Sequence, residues 1–250
     1  IGSHSFVKYS TKAYQYGFSS TMTYMNDWFF MPLFMFGWLP IIYYTKVRSI
    51  PEYFEKRFNK TARYLATTMT LLYMIGYIAI QLLTLATALY RIYNIPLMLT
   101  VIIIAIATTI YMHFGGQTSV IFTDLFQGLI LLFAGLLLFV LGLQYLGGGQ
   151  FSDGIISFWK FLTPTQKLPL AHFNSPPNFN FVGIFWQDGI AGSIGFLFLN
   201  QGLIMRFMAA RSVNEGRKAA AFNVLLVLPI SAIVVSNAGW IGRAIANGMP

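Results

Sequence analysis

The sequence predicts an all-α polytopic membrane protein, and three observations predict it. Of the 250 residues, 56% are hydrophobic and only 9% are charged, where a soluble domain carries about a quarter charged residues. The apolar residues gather in runs long enough to cross a bilayer, which takes ~20 helical residues at 1.5 Å each. The basic residues gather in the short loops between those runs, where membrane topology puts them. A backbone inside lipid must satisfy its own polar groups, and a helix does so within one segment. The net charge of +9 therefore marks membrane loops rather than a nucleic-acid surface. There is no cysteine, so there is neither a disulfide frame nor a thiolate metal site.

The elements follow in order. Residues 1–17 interleave Ser3, Ser5, Lys8, Ser10, Thr11 and Lys12 with Phe6, Val7, Tyr9 and Tyr14. Taken alone, this pattern reads as an amphipathic helix lying in the interface. Residues 18–45 form the first spanning run, with Trp28, Trp38, Tyr43 and Tyr44 as belt aromatics and Asn26 and Asp27 inside it. The polar connection 46–63 opens a short helix over about 50–58. Ser49 is its cap, Pro51 an early proline and Glu52 an acid at its positive end. Spans are then predicted at 65–93, 97–112 and 120–146. Asn94-Ile95-Pro96 links the first pair and Gly115-Gly116 the second. Residues 147–179 read as a proline-broken polar and aromatic loop carrying an interfacial helix at 153–162. The last spans are 181–205 and 219–244. The first of these is interrupted at Gln187-Asp188-Gly189 and again at Gly192-Ser193-Ile194-Gly195. Ile1 is not a start methionine, and Asn247-Gly248-Met249-Pro250 reads as the middle of a loop. The expectation is an internal fragment of a longer membrane domain.

Loops 46–63 and 206–218 hold ten of the sixteen basic residues. Four spans separate them, so both share one side, and the positive-inside rule makes that side cytoplasmic. The Gly115-Gly116 turn lies on that side too, and the proline-rich loop lies outside.

Of seven acidic residues, Glu52, Glu55, Asp153 and Glu215 fall in loops and read as solvated charges. Asp27, Asp124 and Asp188 fall within or at the edge of spans, where a charge is costly and marks an ion or solute pathway by default. Asp124 has two readings. One is an acid favoured at a helix N-terminus by the macrodipole. The other is an oxygen ligand or relay for a small hard cation, with Thr123 assisting. Asp188, followed by Gly189, Gly192 and Gly195, reads either as close helix packing or as a broken helix whose backbone, with Ser193, meets a solute. Asp27 stands near the outer interface, as a wet cap or a solute contact. His4, His113 and His172 are too scattered for a metal site. No paired-carboxylate or Ser-His-Asp pattern points to an enzyme, and none is expected.

Three ordered motifs carry a family resemblance. They are Ile50-Pro51-Glu52-Tyr53-Phe54-Glu55-Lys56-Arg57-Phe58-Asn59, then Gly115-Gly116 followed by Thr123-Asp124-Leu125-Phe126-Gln127, and Asn200-Gln201-Gly202-Leu203-Ile204-Met205-Arg206 followed by Ala209-Ala210-Arg211-Ser212. With them the chain resembles the sodium:solute symporters over essentially its whole length. Phe122 stands where the family usually has Trp. The resemblance implies an inverted-repeat transporter fold, of which this chain would hold the second half of helix 1 through helix 7. It implies sodium as the coupling ion, a small polar solute, and an integral multi-pass position, expected to be the bacterial inner membrane. It also implies that Ile1 lies on the helix 1 side of the main sodium site, and that Asp124, with Thr123, lies on a second sodium site or exit path. For the solute, the positions implied are Ser5 and Ser193, joined by Asp27 and Asp188. Sugar-transporting members place Gln, Glu, Asn and Lys where this chain has Ser5, Tyr24, Ser193 and Val227, which argues against a galactose-like solute. The expected function is sodium-coupled import by alternating access. The alternative is a sensor module of a signalling protein built on the same membrane fold.

Overall fold

The computed structural model describes residues 3–248, with the side chains of Ser3, Gln117 and Thr118 left aside. Among the described residues all regular structure is helical, and six helical stretches are long and apolar enough to cross a membrane. The main helices, in order, are α1 (Ser3–Tyr16), α2 (residues 22–45, a file of short helical segments), α3 (Ile50–Arg57), α4 (Lys60–Tyr93), α5 (Leu97–Gly116), α6 (Ser119–Leu146), α7 (Phe151–Phe161), α8 (Phe181–Leu199), α9 (Gln201–Met208) and α10 (Val213–Gly248), of which α3, α7 and α9 are too short to span. α1 and α2 are joined through a tight turn at Gly17–Thr21 and together make one of the six stretches, His4–Thr45.

α5 and α6 meet at Gly116, whose φ of 58° and ψ of −163° cannot belong to a helix. Only glycine reaches that region of backbone space at little cost. The helix therefore breaks where the double glycine stands.

The chain divides into two compact units. One comprises the described parts of residues 1–18, 75–167 and 233–250. Its core is Ala13, Leu143, Phe158, Leu162, Trp240, Ile241 and Ala244. Between helices in lipid there is little hydrophobic drive, so association relies on close packing and hydrogen bonds. Both are present. A methyl group at Gly239 would collide with the Ser10 carbonyl, so α1 and α10 touch backbone to backbone. The Ser10 hydroxyl donates to the Val235 carbonyl at 2.7 Å, and Asn237 Nδ2 donates to the Gly135 carbonyl at 2.6 Å, tying α10 to α6. Trp240 Nε1 donates to the Gly17 carbonyl at 3.0 Å. α7 seats Gly154 and Phe158 against the end of α6 and turns Ile156 and Trp159 outward.

The other unit comprises residues 19–74 and 168–232. Its core joins α2, α3, α8, α9 and α10 through Phe30, Phe34, Leu39, Ile42, Tyr53, Leu197, Ile204 and Ala220. α3 has Ser49 as its cap, with the Glu52 N–H donating to Ser49 Oγ at 3.3 Å. The Glu52 carboxylate accepts the Arg48 backbone N–H at 2.7 Å and pairs with Lys56 at 3.2 Å. These contacts, the backbone one first, hold its carboxyl below the ordinary carboxylate value. Gln201 clasps the same turn from α9. Its Oε1 accepts from Ile50 N at 3.0 Å, and its Nε2 donates to the Arg48 carbonyl at 3.1 Å.

Two boundaries differ from the sequence expectation. α10 begins at Val213, inside the basic stretch, because Ser212 caps it by accepting the Glu215 N–H at 3.2 Å. In α8 the chain does not unwind at Gly192–Gly195. It continues in wide π-type turns over Phe185–Ser193 and Gly195–Leu199, and the break falls at Asn200. There the Asn200 side chain accepts the Leu203 N–H at 3.1 Å and restarts the chain as α9.

Candidate functional site

The polar cluster of the second unit forms where α2 packs along α8. In α2 Asn26 keeps helical backbone angles, φ −57° and ψ −28°, but its carbonyl accepts the Phe29 N–H at 3.1 Å, a locally tighter turn, and Asp27 follows it. Facing them, the π-type turns of α8 widen the backbone and misalign its carbonyls, a local geometry frequent at functional sites. Gly189 faces this contact: a Cβ built there would lie 3.4 Å from the Phe30 ring and 3.7 Å from the Asn26 amide, ordinary packing distances.

At this contact the Ser193 side chain meets Asp27 and the Asp188 backbone, and Asn26 lies against Gly189. Ser193 is 3% exposed and Asn26 is 7% exposed, while Asp27 and Asp188 are half-buried. The Ser193 hydroxyl stands between two acceptors, the Asp188 backbone carbonyl at 3.3 Å and the Asp27 carboxylate. Its single proton serves one of them at a time. Asn26 Nδ2 is buried and has no hydrogen-bond partner. Asp188 Oδ2 is also buried. One and two turns earlier, Ser19, Ser20 and Thr23 are buried hydroxyls, with Thr23 Oγ1 donating to the Ser20 carbonyl at 2.7 Å. Chemically the contact offers the Asp27 carboxylate, the Asp188 carbonyl, a hydroxyl and an amide donor in a water-poor setting. That set grips a small polar or charged group strongly, because each unmet partner inside is expensive.

Three of the residues named from the sequence, Asp27, Asp188 and Ser193, thus share one site. Ser5 lies half-buried on α1 in the other unit. Thr123 and Asp124 lie on α6, a short way past the Gly116 break. Thr123 Oγ1 donates to the Ser119 and Val120 carbonyls, both at 3.0 Å, which leaves its lone pairs outward. Asp124 is exposed on the helix face. Ile1 lies outside the described residues. Asn26 and Gly189 went unassigned in the sequence. The one available signal for Asn26 was its position, an amide beside a carboxylate inside an apolar run.

Six helices long and apolar enough to cross a membrane mark an integral multi-pass membrane protein. A family model of the sodium:solute symporter family matches residues 1–250, and the chain belongs to that family. It is 29% identical over 203 residues to the sodium/glucose cotransporter of Vibrio parahaemolyticus, covering 79% of this chain and 37% of that protein. It is 28% identical over 208 residues to the sodium-dependent multivitamin transporter of Oryctolagus cuniculus, covering 82% and 31%. To the sodium/sialic acid symporter of Aliivibrio fischeri it is 27% identical over 237 residues, covering 86% and 44%. The chain thus spans less than half the length of these relatives.

Proposed function

We propose that this chain is part of a sodium-coupled symporter that imports a small polar solute by alternating access, in the inner membrane of a bacterium. The observation that carries the reading is the buried α2–α8 cluster, set in a chain of a family whose relatives are named for sodium-coupled transport of sugar, vitamin and sialic acid. In this reading Asp27, Asp188 and Ser193 bind the solute, and Ser5 on α1 is a separate candidate solute contact. The backbone carbonyl of Ile1 contributes to one sodium position. Asp124 and Thr123 form a second position on the way to the cytoplasm. Carboxylate, hydroxyl and carbonyl oxygens are the ligands a small hard cation prefers.

The energetics are sufficient. One sodium ion moving inward through 100 mV contributes about 2.3 kcal/mol, which sustains roughly forty-fold solute accumulation at about 1.4 kcal/mol per tenfold. The test is uptake by proteoliposomes carrying the full-length protein, with and without an inward sodium gradient. Solute should accumulate only with the gradient. Accumulation that ignores sodium would remove the coupling.

A further inference from the structure

We propose that the outward face of α7, with the turn that follows it, holds the headgroup of an anionic phospholipid. The Lys160 and Lys167 ammonium groups meet the phosphate, and the Trp159 ring lies beside it.

The first observation is where α7 lies. Within its unit the ends of α1, α6 and α10 converge on one core, with Ala13, Leu143, Trp240 and Ala244 buried in it and Leu146 packed against it. α6 is long and apolar enough to cross a membrane, and a turn at residues 147–149 folds the chain back onto its end. A Cβ at Gly154 would collide with the Leu143 carbonyl, so α7 lies hard against the last turns of α6. α7 therefore sits where α6 leaves the apolar layer. Its other face is apolar and uncovered: Ile155, Ile156 and Trp159 are 47%, 67% and 53% exposed. Apolar side chains at that depth meet lipid, and Trp favours the level of the headgroups.

The second observation is charge. Residues 147–167 and 239–248, which build this end of the unit, carry Lys160, Lys167 and Arg243 against one acid, Asp153. Asp153 stands in the first turn of α7, where the macrodipole favours it. It is seven residues from Lys160, about 10 Å along the helix axis. Among the described residues neither lysine is in an ion pair. A headgroup with net negative charge supplies what they lack, and a zwitterionic one does not. A second copy docked on this face by a two-fold axis would set these lysines against their own equivalents, which repel.

The third observation is that Lys167 is held in place. Its Nζ lies 5.2 Å from the centroid of the Trp159 ring, and that ring rests against Phe18 at 6.0 Å. The turn before it is pinned. Gln166 is 4% exposed, and its Oε1 accepts the Thr163 N–H at 3.1 Å and Asn247 Nδ2 at 3.3 Å. A Cβ at Gly17 would collide with the Gln166 carbonyl, so α1 closes on the same turn. A cation presented this way needs little ordering when it binds.

The test is lipid binding to the full-length protein in detergent, titrated with dioleoylphosphatidylglycerol or dioleoylphosphatidylcholine and counted by native mass spectrometry. At one site the phosphatidylglycerol should bind about 25-fold tighter, about fivefold for each lysine. Lys160→Gln and Lys167→Gln should each lose about fivefold of that preference, and the double variant all of it. Trp159→Ala should weaken both lipids and keep the preference. In the wild type the preference should shrink as salt rises, a readout that needs no variant. Equal binding of the two lipids overturns the proposal. A preference that survives the double variant, or that ignores salt, places the headgroup elsewhere and overturns it. Competition by soluble glycerol phosphate at the same concentration as phosphatidylglycerol overturns it in favour of a soluble anion. A dimer that Ile156→Ser dissociates puts a second copy on this face and overturns it too.

Discussion

Asp124 and the Asp27–Asp188 pair give the same signal in the sequence, a carboxylate in an apolar run, and stand in opposite settings in the structure. Asp124 sits exposed on a regular helix just past a glycine break, beside a hydroxyl whose proton is already donated to the helix backbone. Asp27 and Asp188 sit half-buried on two helices packed against each other, α2 and the wide-turned α8, on which Asn26 and Ser193 are buried. The first setting suits an ion in passage, bound by few groups and released easily. The second suits a ligand that is enclosed and read. In the reading proposed above, the surroundings of each carboxylate, rather than its charge alone, separate a waypoint from a binding site.

The largest effect should come from Asp27→Asn in the full-length protein. Truncating the charge of a buried, hydrogen-bonded group costs about 2–5 kcal/mol, so solute affinity in uptake assays should fall by roughly thirty-fold or more. A solute half-saturation unchanged by this variant would erase the contrast. Ser193→Ala removes one hydrogen bond, worth about 0.5–1.5 kcal/mol. The solute half-saturation should rise several-fold while the sodium dependence stays put. Asp124→Asn should do the converse, shifting the sodium half-saturation a few-fold at an unchanged solute affinity. The smallest effect belongs to Glu52, on α3. Its folded value lies below the ordinary carboxylate value, so its contribution is complete above that ordinary value and is lost as pH falls through the lowered one. Hydrogen exchange of the α3 amides should speed slightly in Glu52→Gln near neutrality, and the difference should vanish in acid.

Much of this was readable from residue order. The all-α membrane class follows from long apolar runs with basic loops, because lipid leaves a helix few alternatives. The Ser49 cap and the Gly116 break are local, set by one hydroxyl and one missing Cβ, and local chemistry is what a sequence displays best. The geometry of α8 was not readable in the same way. Gly189, Gly192 and Gly195 announce a permissive backbone, but whether it unwinds or widens depends on what packs against it, and Asn26 and Phe30 come from far away in the chain. The true break at Asn200 had a readable signal, an asparagine cap, hidden because the residues around it stay apolar. The partnership of Ser193 with Asp27 was out of reach for the same reason, since it is a product of packing between distant segments.

The most direct test of the contrast is a two-way titration of uptake, solute against sodium, in proteoliposomes bearing the wild type, Asp27→Asn or Asp124→Asn. The account predicts crossed results: Asp27→Asn raises the solute half-saturation and leaves that for sodium, and Asp124→Asn does the reverse. Both variants shifting the same half-saturation, in the same direction and by a similar factor, would contradict it.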